Sequence, residues 1–138
     1  MMYSMKEAST ILGMTYEGLK FYCNQGLLPN VKRDAQNHRV FDDDDLRFLY
    51  GLSCLRKCGM GIQEMKEYIS LEMPDGIPAR KAMLEEKEAA LLAQMEEIQK
   101  SIDYIHHKQS FYDDILEGRT PDMTPFEVPA ELFEHVKR

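Results

Sequence analysis

Residues 79–116 run for 38 positions without a proline or a glycine, and this stretch constrains the fold more than any other. Leu84, Leu91, Ile98, Ile105 and Tyr112 recur within it every seven residues, the spacing that keeps one helical seam facing a partner helix. Met95 and Ile102 supply part of a second seam, which Glu88 and Gln109 interrupt. A helix of this length spans about 57 Å at 1.5 Å per residue. The short domain before it cannot cover such a stripe. The pattern therefore predicts a coiled-coil homodimer built on Leu84, Leu91, Met95, Ile98, Ile102 and Ile105, with the strand orientation left open by the seam.

The segments upstream are shorter and differently punctuated. Ser4 and Glu7 form a capping box ahead of Ala8, Ile11 and Leu12, and Gly13 supplies a left-handed stop. Thr15 is the next N-cap, with Glu17 at the positive end of the helix dipole. Leu19 and Tyr22 lie on one face, and Asn24-Gln-Gly26 ends the helix. Two short helices across a tight turn make a helix-turn-helix candidate. Two β-compatible stretches, residues 31–33 and 38–41, flank the turn-like Asp34-Ala-Gln-Asn37. They predict a small hairpin with basic arms, a wing. The acids at 42–45 then fit an N-cap and first helical turn, where the dipole stabilises negative charge. A third helix continues to Gly59 and a fourth covers residues 62–71, before the Pro- and Gly-containing segment 73–78 breaks the pattern. The expected organisation is a winged helix-turn-helix domain at 1–73, a linker at 74–78, the long dimerisation helix at 79–117 and a tail at 118–138. One further amphipathic turn or two is expected from Pro129 onward. The fold class is mainly α with one small β-hairpin.

Charge must be read by region. The chain carries a net charge of -7, which taken whole argues against nucleic acid. Residues 1–73 hold nine Lys/Arg against ten Asp/Glu, whereas residues 74–138 hold eight against fourteen. With four of the ten acids gathered at 42–45, Lys20, Lys32, Arg33, Arg39, Arg56 and Lys57 are expected to be largely unopposed. A DNA-facing surface in the first 60 residues is compatible with that distribution. The longest uncharged stretch, residues 21–31, is too short to cross a bilayer, which needs roughly 20 apolar residues. No secretory pattern opens the chain, and three cysteines suit a reducing cytoplasm better than a disulfide framework. Cys54 and Cys58 offer two metal ligands without a third in view, so no metal or other cofactor is expected. No Ser/His/Asp set or phosphate-binding glycine loop suggests an enzyme.

Gly18-Leu-Lys-Phe-Tyr22 followed by Gly26-Leu-Leu-Pro29 is similar to the T-[IL]-R-[FY]-Y…G-L-[IL]-x-P pattern of the MerR family of bacterial transcription regulators. Asn37-His-Arg-Val-Phe41 sits where that family has its N-G-Y-R-x-[FY] wing. Asp45-Leu46 and Gly59-Met-Gly-Ile62 occupy the places of its D-L and G-[FM]-S-[IL]. The resemblance covers residues 3–71 closely and the coiled coil architecturally. It implies that the second helix enters the major groove of double-stranded promoter DNA. Thr15 and Tyr16 would lie near base edges or sugar, and Lys20 and Tyr22 would hold phosphates. Arg33, Asn37, His38 and Arg39 would act from the wing, and Lys57 from the second helix pair. It further implies a pseudo-palindromic site, distortion of a long promoter spacer, and RNA polymerase as a partner at that promoter. The chain also departs from the pattern. Lys20 replaces an arginine and loses its bidentate fork. Gly18 replaces a hydroxyl residue at a helix-propensity cost of about 1 kcal/mol. His38 stands in for Gly-Tyr.

Cys54-Leu-Arg-Lys-Cys-Gly-Met60 resembles the C-L-K-x-T-G-M segment of the small NmlR/AdhR-type branch, which responds to aldehydes and related electrophiles. The resemblance implies a sensing role for Cys54. The thiolate is the reactive form of cysteine, and Arg56 and Lys57 place positive charge nearby in sequence. Cys54 also lies near the Leu55 face, where a free cysteine serves equally as a small apolar core residue. Past the long helix, some 20 residues are too few for a ligand domain with a pocket of several hundred cubic ångströms. Two other classes stay in view. One is a coiled-coil interaction protein whose DNA helix has drifted, for which Gly18, Lys20 and the overall charge speak. The other is an architectural, excisionase-like DNA-binding protein, which would not need the heptad helix.

Overall fold

The computed structural model describes residues 1–121, 123–124, 128–134 and 136. In chain order the elements are β1 (Tyr3–Ser4), α1 (Met5–Leu12), α2 (Tyr16–Asn24), β2 (Lys32–Arg33), β3 (Arg39–Phe41), α3 (Asp43–Lys57), α4 (Ile62–Ser70), α5 (Ile77–Leu116) and α6 (Ala130–Phe133). Two compact units divide the chain, Met1–Leu92 and Ala93–Arg138, and α5 contributes to both.

In the first unit local chemistry sets each helix end. The Glu7 amide donates to Ser4 Oγ (3.1 Å) and Ser4 N donates to Glu7 Oε1 (3.0 Å), completing the capping box of α1. Gly13 closes that helix at φ 65°, a left-handed conformation that glycine adopts without a Cβ penalty. Asp42 caps α3, with Asp43, Asp44 and Asp45 in its first turn. The acidic run is thus a helix start. Among the described residues no group of three or more His, Cys, Asp or Glu is arranged to hold a metal ion.

The wing is a three-stranded antiparallel sheet in the order β1-β3-β2, with Lys32 opposite Val40 and Tyr3 opposite Phe41. The hairpin expected from sequence is its β2–β3 half. The first strand comes from the start of the chain and ties the wing to α1. Phe41, the inward residue of β3, is fully buried with Ala8, Leu19, Leu27, Leu49 and Met65. Full burial of each such Phe or Leu contributes roughly 1.5–3 kcal/mol of transfer free energy. This core holds α1, α2, α3 and the wing together.

The long helix starts two residues before the expected point. Pro78 is accommodated in its first turn, where a missing N–H has no intrahelical partner to lose. Gly76 precedes it in close contact with the backbone of Glu72: an added Cβ would stand 2.5 Å from Glu72 O and 2.8 Å from Leu71 Cβ. The start of α5 belongs to the first unit. Met83 packs against the core, Lys87 Nζ pairs with Glu64 Oε2 at 2.6 Å, and the Arg80 guanidinium lies 4.8 Å over the Tyr68 ring. The Glu64 carboxyl is held below its ordinary range, first by Lys87 and then by the Gly61 amide.

No residue of α5 is buried, and Leu84, Leu91, Met95, Ile98, Ile102 and Ile105 are all exposed in the single chain. In the second unit Gly118 follows α5 at φ 73°, and α6 forms one short turn within the expected terminal segment. His135 of that segment lies outside the described residues. No helix among the described residues is long and apolar enough to cross a membrane.

Candidate nucleic-acid interface

The start of α2 is set by Thr15, whose side chain accepts from the Gly18 amide at 3.0 Å. Leu19, Tyr22 and Cys23 of that helix are buried in the core. Tyr16 and Lys20, four residues apart on the other face, are exposed. The wing stands opposite them. Its turn is held by Asp34, whose Oδ1 accepts from the amides of Gln36 (3.0 Å) and His38 (2.9 Å). Asn37 takes φ 64° at the tip, a region that asparagine tolerates better than most residues.

Between helix and wing lies an open groove of about 380 Å³. Tyr16 and Lys20 line one side; Arg33, Asn37, His38 and Arg39 line the other. Six of the nine residues expected to meet DNA therefore share one concave surface. Lys6 of α1 lines it too, a residue that sequence reasoning passed over because nothing in the α1 pattern says which way its exposed face looks.

Two guanidinium groups are held in place rather than free to sweep. Arg33 Nη1 donates to the Asn37 carbonyl at 2.9 Å, and Arg39 Nη2 donates to Asn24 Oδ1 at 2.7 Å. The second bond ties the wing to the end of α2. A fixed donor fork loses less entropy on meeting a phosphate than a swinging one. Burial pushes the Cys23 thiol up from its ordinary value, against the opposing pull of Arg39 and Arg33. Cys23 is packing.

One expectation changes. Lys32, read as unopposed, is paired: its Nζ lies 3.0 Å from both Asp42 Oδ2 and Asp45 Oδ2. Hydrogen bonds to Asp45 and Asp42 hold the ammonium above its ordinary range, and the wing's base is neutralised there. Tyr22 is 8% exposed and belongs to the core, three residues after fully buried Leu19 on the same face. Its ring packs in that core. Thr15 is exposed but its hydroxyl serves the cap, and Lys57 is exposed in the last turn of α3. Neither lines the groove. Cys54 and Cys58 are free and partly exposed.

Residues 3–72 match the model of the MerR HTH family regulatory protein. The chain belongs to the MerR family. It is 32% identical over 114 residues to an uncharacterized HTH-type transcriptional regulator of Haemophilus influenzae, covering 81% of this chain and 84% of that one. It is also 32% identical over 82 residues to the HTH-type transcriptional regulator AdhR of Bacillus subtilis, covering 58% and 59% respectively. Among solved structures it resembles HiNmlR, a MerR family regulator lacking the sensor domain, bound to promoter DNA. The TM-score is 0.73 at 31% identity, over 86% of this chain and 92% of that one. These relatives are transcription regulators, not enzymes. The likeness is to regulators of the NmlR and AdhR type, and this MerR protein is a DNA-binding transcription regulator with a helix-turn-helix and a long helix.

Proposed function

We propose that this MerR protein acts in the cytoplasm as a homodimer on a pseudo-palindromic promoter site, distorting the spacer so that RNA polymerase engages both promoter elements. The observation that carries the reading is the groove in which Tyr16 and Lys20 face Arg33, Asn37, His38 and Arg39. A recognition helix and a wing presenting cations to one concavity suit a duplex whose backbone passes between them. HiNmlR, bound to promoter DNA, supports the same docking mode. The second copy is supported by the exposed seam of α5, since a lone chain would leave Leu91, Met95, Ile98 and Ile105 in water. In this account Lys20 and the wing arginines position the protein on phosphates, and Tyr16 and Asn37 approach bases or sugar. Deforming the spacer costs elastic energy that contacts spread over two half-sites offset.

Cys54 is the proposed sensing residue. It lies in α3 and is partly exposed, and its carbonyl accepts from the Cys58 amide at 3.1 Å. Addition of its thiol across an aldehyde carbonyl, sulfur to carbon and proton to oxygen, would enlarge a side chain beside the packed Leu55 and disturb the seating of α3 under the DNA-binding layer.

The test retains fragments of source DNA on the purified protein at low and moderate salt. Promoter fragments should be enriched, and Lys20→Ala should lower the amount of DNA retained at moderate salt without changing which fragments are enriched. Treatment with a simple aldehyde should change retention in the wild type and not in Cys54→Ala. No retention at low salt would sink the DNA reading; an identical aldehyde response in both proteins would sink the sensor.

A further inference from the structure

Cys58 stands one helical turn beyond Cys54. It caps the end of α3, and its amide donates to the Cys54 carbonyl at 3.1 Å, which closes that turn. Residues four apart on a helix share a face, and their side chains lean toward the N-terminus, so Cys58 leans toward Cys54. Both thiols are free and both are partly exposed. The turn that carries them is anchored: Met60 is buried, and its amide donates to the Leu55 carbonyl at 3.1 Å. Cys23, the remaining cysteine, is buried in the core.

The spacing decides what two thiols placed this way can do. Helix residues four apart hold their Cβ atoms roughly 5–6 Å from each other. That is wider than the separation of about 3.5–4.5 Å that a disulfide needs. A direct S–S bond would therefore have to unwind the turn, and it would also need an oxidant. A single atom inserted between the sulfurs spans the gap with the helix intact. Structural zinc asks for four protein ligands, and among the described residues no third His, Cys, Asp or Glu joins the pair to hold a metal ion. A linear two-coordinate ion needs its sulfurs on opposite sides, which two thiols leaning the same way along one face do not offer. A trivalent arsenical with one carbon substituent takes two sulfurs only, at a bent, pyramidal angle.

We propose that Cys54 and Cys58 form a dithiol site that captures a monosubstituted trivalent arsenical, one arsenic across both sulfurs. The thiols displace the two hydroxyls of the hydrated arsenical: two As–O and two S–H bonds break, two As–S bonds form, and two waters leave. Arsenic stays trivalent and neither sulfur is oxidised, so the step needs no co-reactant. Once the first sulfur has bonded, the second attacks within the same turn, at an effective concentration that a single thiol in solution must match to displace it. This capture is independent of the aldehyde response proposed for Cys54, which takes one thiol.

The test treats reduced full-length protein with one equivalent of phenylarsine oxide, then with a large excess of glutathione, and reads the intact mass through time. The wild type should carry one phenylarsenic group in place of two thiol hydrogens and keep it against glutathione. Cys54→Ser and Cys58→Ser should each lose the group at least tenfold faster while keeping the wild-type helical signal; both side chains are partly exposed, so neither change opens the core. Cys23→Ala should hold the group as the wild type does. No lasting adduct on the wild type, two arsenicals per chain, undiminished retention by folded Cys58→Ser, or rapid loss from folded Cys23→Ala would each overturn the proposal.

Discussion

Lys20 and Lys32 carry the same charge and differ in what surrounds it. Lys32 is held between Asp42 and Asp45, whereas Lys20 is exposed on the groove with no ion pair among the described residues. A phosphate must compete with two carboxylates for the first and with water alone for the second. Lys20→Ala should therefore weaken binding to all DNA sequences alike and reduce the slope of log affinity against log salt by about one. Lys32→Ala should leave that slope unchanged. Gel shifts across a salt series check both. The exposure of Lys20 was legible, because it follows Leu19 and precedes Tyr22 on a helix whose inward face those two define. The pairing of Lys32 was not: its partners stand ten and thirteen residues away and meet it only once the hairpin has folded onto α3. Tyr22 shows the converse. The motif named the residue, but the inward face decided its surroundings.

At the scale of elements, capping chemistry was the clearest signal, since a cap involves residues three apart and needs no tertiary fold. Ser4 with Glu7, Thr15 with Gly18 and Asp42 with Asp45 all close as their spacing implies. Strand β1 gave no such signal, because two residues show no period and their partner lies almost forty positions away. The Asp42 carboxyl is held below its ordinary range, first by the Asp45 amide and then by Lys32. A lowered folded-state value means that this contribution is complete above the ordinary aspartate range and is lost as pH falls through the lowered value. The stability gap between wild type and Asp42→Asn, measured by urea unfolding, should accordingly be widest near pH 7 and narrow in acid. Two glycines make opposite predictions. Gly51→Ala adds a methyl to open space within a helix and should raise stability by about 0.5–1 kcal/mol. Gly76→Ala drives a methyl against Glu72 O and Leu71 Cβ and should lower the melting temperature.

For the molecule as a whole, the heptads of α5 announced a helix that needs a partner, and the chain leaves that seam exposed, Met95 at 63% and Ile98 at 60%. What the heptads could not announce was the grip of the helix's first turns on the winged unit, through Met83, Arg80 and the Lys87–Glu64 pair. Those contacts join positions far apart in sequence, and heptad counting is silent about them. Ile98→Glu, at the middle of the seam, should yield monomers by sedimentation and lose about tenfold or more in affinity for a two-half-site fragment while leaving the winged unit folded. The concentration of acid in the second half of the chain explains how a protein of net charge -7 presents a cationic groove. Hydroxyl-radical footprinting on a retained promoter fragment tests the central claim most directly. A dimer docking two recognition helices should protect two dyad-related patches with centres about 34–36 Å apart or a multiple of that distance. A single asymmetric patch, or uniform weak protection that ignores the promoter, would contradict the account.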